Sequence, residues 1–147
     1  LAVVIGKTTS CLPGPEGAEE HVFGATAVND VTARELQDKD VQFTRAKGFD
    51  TFCPVGPCLA TGLDLGRSRV RGRVNGEVRQ AGTTEDLVFS VAYLVWYVSR
   101  VMTLFPGDII STVTPSGVGP LRPGDETEVE VEGVGILANP VVEGQGA

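Results

Sequence analysis

Arg69-Val70-Arg71-Gly72-Arg73-Val74-Asn75-Gly76-Glu77-Val78-Arg79 alternates arginine with smaller residues, then places an Asn-Gly pair before a second strand-like run. Asn and Gly both tolerate positive φ, so the pair predicts a tight two-residue hairpin joining short antiparallel strands. The same reading extends in both directions. Downstream, Glu126 to Glu132 alternates Glu with Val or Thr, and Gly133 to Gly135 turns it back into Ile136 to Val142, a second hairpin. Upstream, Leu1-Ala2-Val3-Val4-Ile5 is a continuous apolar run that reads as a buried strand. Val22 to Val31 reads as another strand, interrupted by Gly24, and Leu59 to Thr61 as a short one.

Helical signals are fewer. Ser90 to about Thr103 has Val91, Leu94, Val95 and Val98 at helical spacing behind an N-capping serine. It is apolar on most sides, so it should be largely buried or face a partner subunit. Ala33 to Asp38 suggests a short helical turn, and Gln42 to Thr51 reads as a loop. Pro106-Gly107-Asp108 and Pro123-Gly124-Asp125 repeat one pattern, suited to a type II turn feeding a strand. Nineteen glycines and nine prolines in 147 residues agree with many tight turns. The expectation is a single α+β domain, predominantly β, with one principal helix.

The net charge of −7 and the absence of a Lys/Arg cluster point away from nucleic acid. No run reaches the roughly 18 apolar residues of a membrane helix. There is no signal peptide pattern and the only Met is Met102, so the natural start is expected to be missing or processed away. Cys11, Cys53 and Cys58 form an odd set without redox or zinc spacing, which favours reduced thiols and a cytoplasmic setting.

Chemistry has two candidate locations. Asp30 closes an apolar run, followed by Arg34, Gln37 and the Thr44-Arg45-Ala46-Lys47 cluster. These groups either converge on an anionic ligand, or Asp30 caps the next turn and pairs with Arg34. The run Thr112-Val113-Thr114-Pro115-Ser116-Gly117-Val118-Gly119 either brings backbone N–H groups close to a carboxylate or is a plain strand exit. His21 follows Glu19-Glu20 on a solvated turn, and no Ser or Cys signature makes it part of a triad. Glu128, Glu130 and Glu132 read as a solvated strand face.

Several phrases in order resemble the C-terminal domain of the fumarylacetoacetate hydrolase family. They are Leu1 to Lys7, Asn29-Asp30-Val31-Thr32-Ala33-Arg34-Glu35-Leu36-Gln37, Arg45 to Pro54, Arg73 to Glu77, Pro106 to Ile110, and Thr114 to Gly119. The resemblance implies a compact fold of stacked, strongly curved mixed sheets, dimeric as a homodimer, over residues 1–147. It implies divalent-metal-dependent hydrolysis, decarboxylation or isomerisation of small 2-oxo or 1,3-diketo acids, with Mg²⁺ or Mn²⁺ as cofactor. Carried over by motif, Asp30 is a metal ligand. Arg34 and Gln37 hold the substrate carboxylate and its neighbouring oxygen, and Lys47 and Thr114 contact substrate oxygen during catalysis.

The same resemblance places two further metal carboxylates, as Glu-x-Glu, just upstream of Leu1, and a lid with a catalytic His and Glu beyond them. The domain is therefore expected to be truncated at its N-terminal edge and to bind metal weakly as it stands. Val113 replaces the family's usual Gly, Tyr93 a helix-capping Glu, and Glu35 the commoner Asp. The alternative is a non-catalytic member that binds a metabolite or a subunit.

Overall fold

The computed structural model describes residues 1–112 and 114–144. Eight strands form two four-stranded sheets. The first contains β1 (Ala2–Ile5), β2 (Val22–Val28), β3 (Val55–Ala60) and β6 (Ile109–Ser111), in the order β3-β2-β1-β6. The second contains β4 (Arg69–Val74), β5 (Glu77–Thr83), β7 (Glu126–Val131) and β8 (Gly135–Pro140), in the order β5-β4-β7-β8. Both predicted hairpins are present, β4 with β5 and β7 with β8. Asn75 and Gly76 take φ of 52° and 78° at the first turn, the positive values that the sequence pair was read to supply.

The sheets stack, with β2 against β7 and β8 and with β3 against β8. Leu1, Val3, Ile5, Ala25 and Ala27 from the first sheet meet Val131 and Leu137 of the second in one core. The alternation of side chains sends these odd-numbered positions to one face, while Ala2 and Thr26 are buried on the other. Every strand pairing among the described residues is antiparallel, where mixed sheets were expected. A parallel pair needs a long crossover within one sheet, but the principal helix connects β5 of one sheet to β6 of the other.

That helix, α3, spans Val91–Val101, and the Ser90 hydroxyl accepts the Tyr93 N–H at 3.2 Å as an N-cap. Val91, Val95 and Ser99 are buried on one stripe, and Trp96 donates its indole N–H to Leu12 O. Of the two expectations for this helix, burial within the chain covers only that stripe: Tyr97 and Val101 are 55% and 67% exposed. Phe89 stacks on Tyr93, and Arg100 lies over the Trp96 ring at 5.7 Å.

Three boundaries differ from expectation. β2 stops at Val28, because Val31 N–H turns back to Asn29 O, so Asp30 lies beyond the strand. β3 begins earlier, at Val55, and carries Pro57 at the sheet edge, where a missing N–H costs no ladder bond. The Gln42–Thr51 loop contains a single helical turn, α2 (Thr44–Lys47), after α1 (Arg34–Lys39).

The two Pro-Gly-Asp repeats fold alike. Asp108 and Asp125 each donate N–H to the residue three back and accept that residue's N–H on Oδ2, at 2.7 Å from Phe105 and 2.8 Å from Arg122. The aspartate therefore closes the turn from both sides.

Candidate active site

Strand register decides which segments meet. β1 pairs antiparallel with β2 on one side and β6 on the other, Ala2 lying opposite Thr26 and Ser111. The start of β1 is therefore flanked by the ends of β2 and β6. The segments carrying Asp30 and Thr114 leave the sheet at this shared end, where Thr112 is anchored by two hydrogen bonds to Leu1 O.

After β2, Asn29 N–H bonds to Pro54 O and the chain enters α1. Ala33 N–H donates to Ala46 O at 2.9 Å and holds the start of α1 against α2. This brings Lys47 Nζ onto the Asp30 carboxylate as an ion pair, each side chain about a third exposed, at 34% and 33%. The alternative in which Asp30 caps the next turn and pairs with Arg34 is not found: the N-cap of α1 is Ala33, without a side-chain cap, and Asp30 pairs with Lys47. Arg34 instead donates Nη1–H to Gln37 Oε1 at 2.6 Å, one helical turn on. With Oε1 occupied, the Gln37 amide nitrogen is left as a donor. The result is two cations, one amide donor and one carboxylate on adjoining half-exposed turns.

Thr114 is exposed and has no hydrogen bond to the other four among the described residues. Its loop is held elsewhere. Gln80 Nε2–H donates to Pro115 O at 2.6 Å, and Gly117, at φ 105°, lies so close to β5 that a Cβ would sit 1.9 Å from Arg79 O. Only glycine permits that approach. Val113 lies outside the described residues.

The pattern of spacings missed the Asp40–Arg45 pair. Arg45 donates Nε–H to Oδ2 at 2.8 Å and Nη2–H to Oδ1 at 2.7 Å. The hydrogen bonds from Arg45 hold the Asp40 carboxyl below its ordinary range, and Asp40 in turn raises Arg45. A separation of five residues matches no single-helix rule, which is why nothing in the sequence marked it.

Other groups are used structurally. The Thr9 hydroxyl donates to Lys7 O, so its contact with His21 Nδ1 at 2.7 Å makes that nitrogen the donor. Glu128, Glu130 and Glu132 pair across to Arg73, Arg71 and Arg69 on β4. The three cysteines are unpaired. Two surface hollows lie on other residues, one around Arg69, Arg71 and Glu132, the other around Phe23 and Leu63. Neither includes the Asp30–Lys47 pair.

A hard divalent cation needs several oxygen ligands, usually with more than one charge. Among the described residues no three His, Cys, Asp or Glu side chains converge, and the Asp30 carboxylate is already engaged by Lys47. The side chains of the described residues do not by themselves fit such an ion.

Comparison with known proteins gives a consistent result. The family model for the fumarylacetoacetate (FAA) hydrolase C-terminal domain matches residues 1–142. Oxaloacetate tautomerase YisK of Bacillus subtilis is 45% identical over 151 residues, covering 96% of this chain and 50% of that protein. Among solved structures, 5-carboxymethyl-2-hydroxymuconate delta-isomerase of Mycobacterium smegmatis superposes with a TM-score of 0.94 at 48% identity, over 98% of this chain and 57% of that one. Fumarylacetoacetate hydrolase of Exiguobacterium antarcticum gives 0.92 at 46% identity, over 97% and 55%. The chain spans about half the length of relatives such as YisK. With nearly its whole length matched in sequence and in fold, this chain belongs to the fumarylacetoacetate hydrolase family.

Proposed function

We propose that these residues form the carboxylate-binding half of an enzyme that enolises or cleaves small 2-oxo and 1,3-diketo acids. The observation that carries the reading is that the Asp30–Lys47 and Arg34–Gln37 pairs lie on segments tied together by the Ala33–Ala46 bond. Arg34 suits a planar carboxylate, which it can grip with two parallel N–H bonds. The free Gln37 amide suits the oxygen beside it. Lys47 suits the C2 oxygen, where negative charge develops as the enolate forms, and Asp30 holds its ammonium in place. Thr114, at the same end of the sheet, offers a hydroxyl to that oxygen or its neighbour. Tautomerisation, hydrolysis of a C–C bond and decarboxylation all generate this enolate, which fits the different activities named for the relatives.

Mg²⁺ or Mn²⁺, if used, would supply further charge stabilisation at the same oxygens. Asp30 would be one ligand, with substrate oxygens and waters among the others. The reading extends to a homodimer, supported by the exposed apolar side chains of α3, and to a cytoplasmic setting, supported by the unpaired thiols. The test is loss of enol absorbance for acetylpyruvate, fumarylpyruvate and oxaloacetate in the protein as it occurs naturally, with Mg²⁺ or Mn²⁺ added and with EDTA. Metal-dependent turnover of one of them is expected. A folded natural protein that turns over none would refute the enzymatic reading and favour a metabolite-binding member.

A further inference from the structure

Arg34, Gln37 and Lys47 stand on elements that have almost no core. α1 buries no residue and α2 buries only Ala46. Functional side chains are normally held by packing and by supporting hydrogen bonds. Here packing contributes little, so polar ties must set the geometry. One tie is the Ala33–Ala46 backbone bond. Besides the Asp30–Lys47 pair, a further tie is the Asp40–Arg45 pair, in which the residue that ends α1 receives two N–H bonds from a guanidinium on α2. A two-bond fork fixes direction as well as distance. Its two residues make no hydrogen bond to Asp30, Arg34, Gln37 or Lys47, so whatever they contribute is through position.

We propose that Asp40 and Arg45 are positioning residues: a clasp that fixes α1 against α2 and so sets Lys47 relative to Arg34 and Gln37. The proposal rests on the functional reading above, and it separates function from stability. An exposed ion pair adds little to global stability, and Arg45 is 60% exposed. A small displacement of binding groups, by contrast, costs an enzyme heavily, on the order of 100-fold for about 1 Å.

The test uses the natural protein with Arg45→Ala, Arg45→Lys and the exchanged pair Asp40→Arg with Arg45→Asp. Thermal midpoint, amide hydrogen exchange over residues 33–48, kcat and KM are measured on each. Arg45→Ala should leave the midpoint nearly unchanged, speed exchange in that segment, and lower kcat/KM by roughly 10- to 100-fold. Arg45→Lys keeps the charge but not the fork and should recover only part. The exchanged pair should recover most of both exchange protection and kcat/KM. Unchanged kcat/KM, or unchanged exchange over 33–48, would overturn the clasp. If the unaltered protein turns over no 2-oxo acid, the functional reading fails alone. The clasp then stands or falls on whether the exchanged pair restores the protection that Arg45→Ala removes.

Discussion

Replacing Lys47 by methionine keeps most of the side chain's length and apolar stem and removes the ammonium that faces Asp30. Two magnitudes follow from where the pair sits. Both side chains are about a third exposed, so water can solvate the Asp30 carboxylate when its partner is lost. The change in stability should stay within about 1 kcal/mol, a shift of roughly 3 °C or less for a domain of this size. The kinetic effect should be much larger. A donor aimed at a developing oxyanion is worth about 10²–10³ in kcat, or roughly 3–4 kcal/mol. The assay is enol absorbance with the best of the three 2-oxo acids, alongside a thermal melt of the same preparation. A kcat within about threefold of the parent would refute the oxyanion role. A melt lowered by more than about 10 °C would show that Lys47 is a structural residue, because that exceeds what an exposed pair can supply.

Val95 is fully buried on the inner stripe of α3, and Val95→Ala should cost about 2–3 kcal/mol in a urea titration: two carbons at ~0.8 kcal/mol each plus a cavity term. Gly117→Ala would drive a Cβ into Arg79 O, so the glycine loop should shift and kcat/KM should fall by more than the melting temperature alone explains. Asp125 and Glu132 have carboxyls lowered mainly by side-chain hydrogen bonds, from Asn75 and Arg69 respectively, and Asp40 is lowered in the same sense by Arg45. The native state then holds fewer protons than the unfolded chain. The stability these groups add is present above the ordinary carboxylate range and is lost as pH falls through their lowered native values. Chemical denaturation midpoints should therefore decline below about pH 4, and Asn75→Ala should flatten part of that decline.

The sequence made the strands legible because short period-two runs are bounded by turn chemistry that admits few alternatives. Asn75-Gly76 and the paired Pro-Gly-Asp turns are the clearest cases. The end of β2 was misplaced because Asn29, Asp30 and Val31 continue an acceptable strand pattern, and only the Asn29–Val31 turn reveals the break. Antiparallel order throughout could not be read, since it depends on which sheet each strand joins. At the site, spacing offered Arg34 as the partner of Asp30, and the structure pairs Asp30 with Lys47 instead. The choice is made by the Ala33–Ala46 bond, a tertiary contact with no local signal. The Asp40–Arg45 clasp was hidden for the same reason.

The most direct test of the central claim is a crystal structure of the natural protein with oxalate, a stable mimic of the 2-oxo acid enolate. The account predicts oxalate at the end of β2 and β6, with one carboxylate on the Arg34 guanidinium and an oxygen of the other within hydrogen-bond reach of Lys47 Nζ. Oxalate bound elsewhere, for instance at Arg69 and Arg71 on β4, with Arg34 and Lys47 uninvolved, would contradict it.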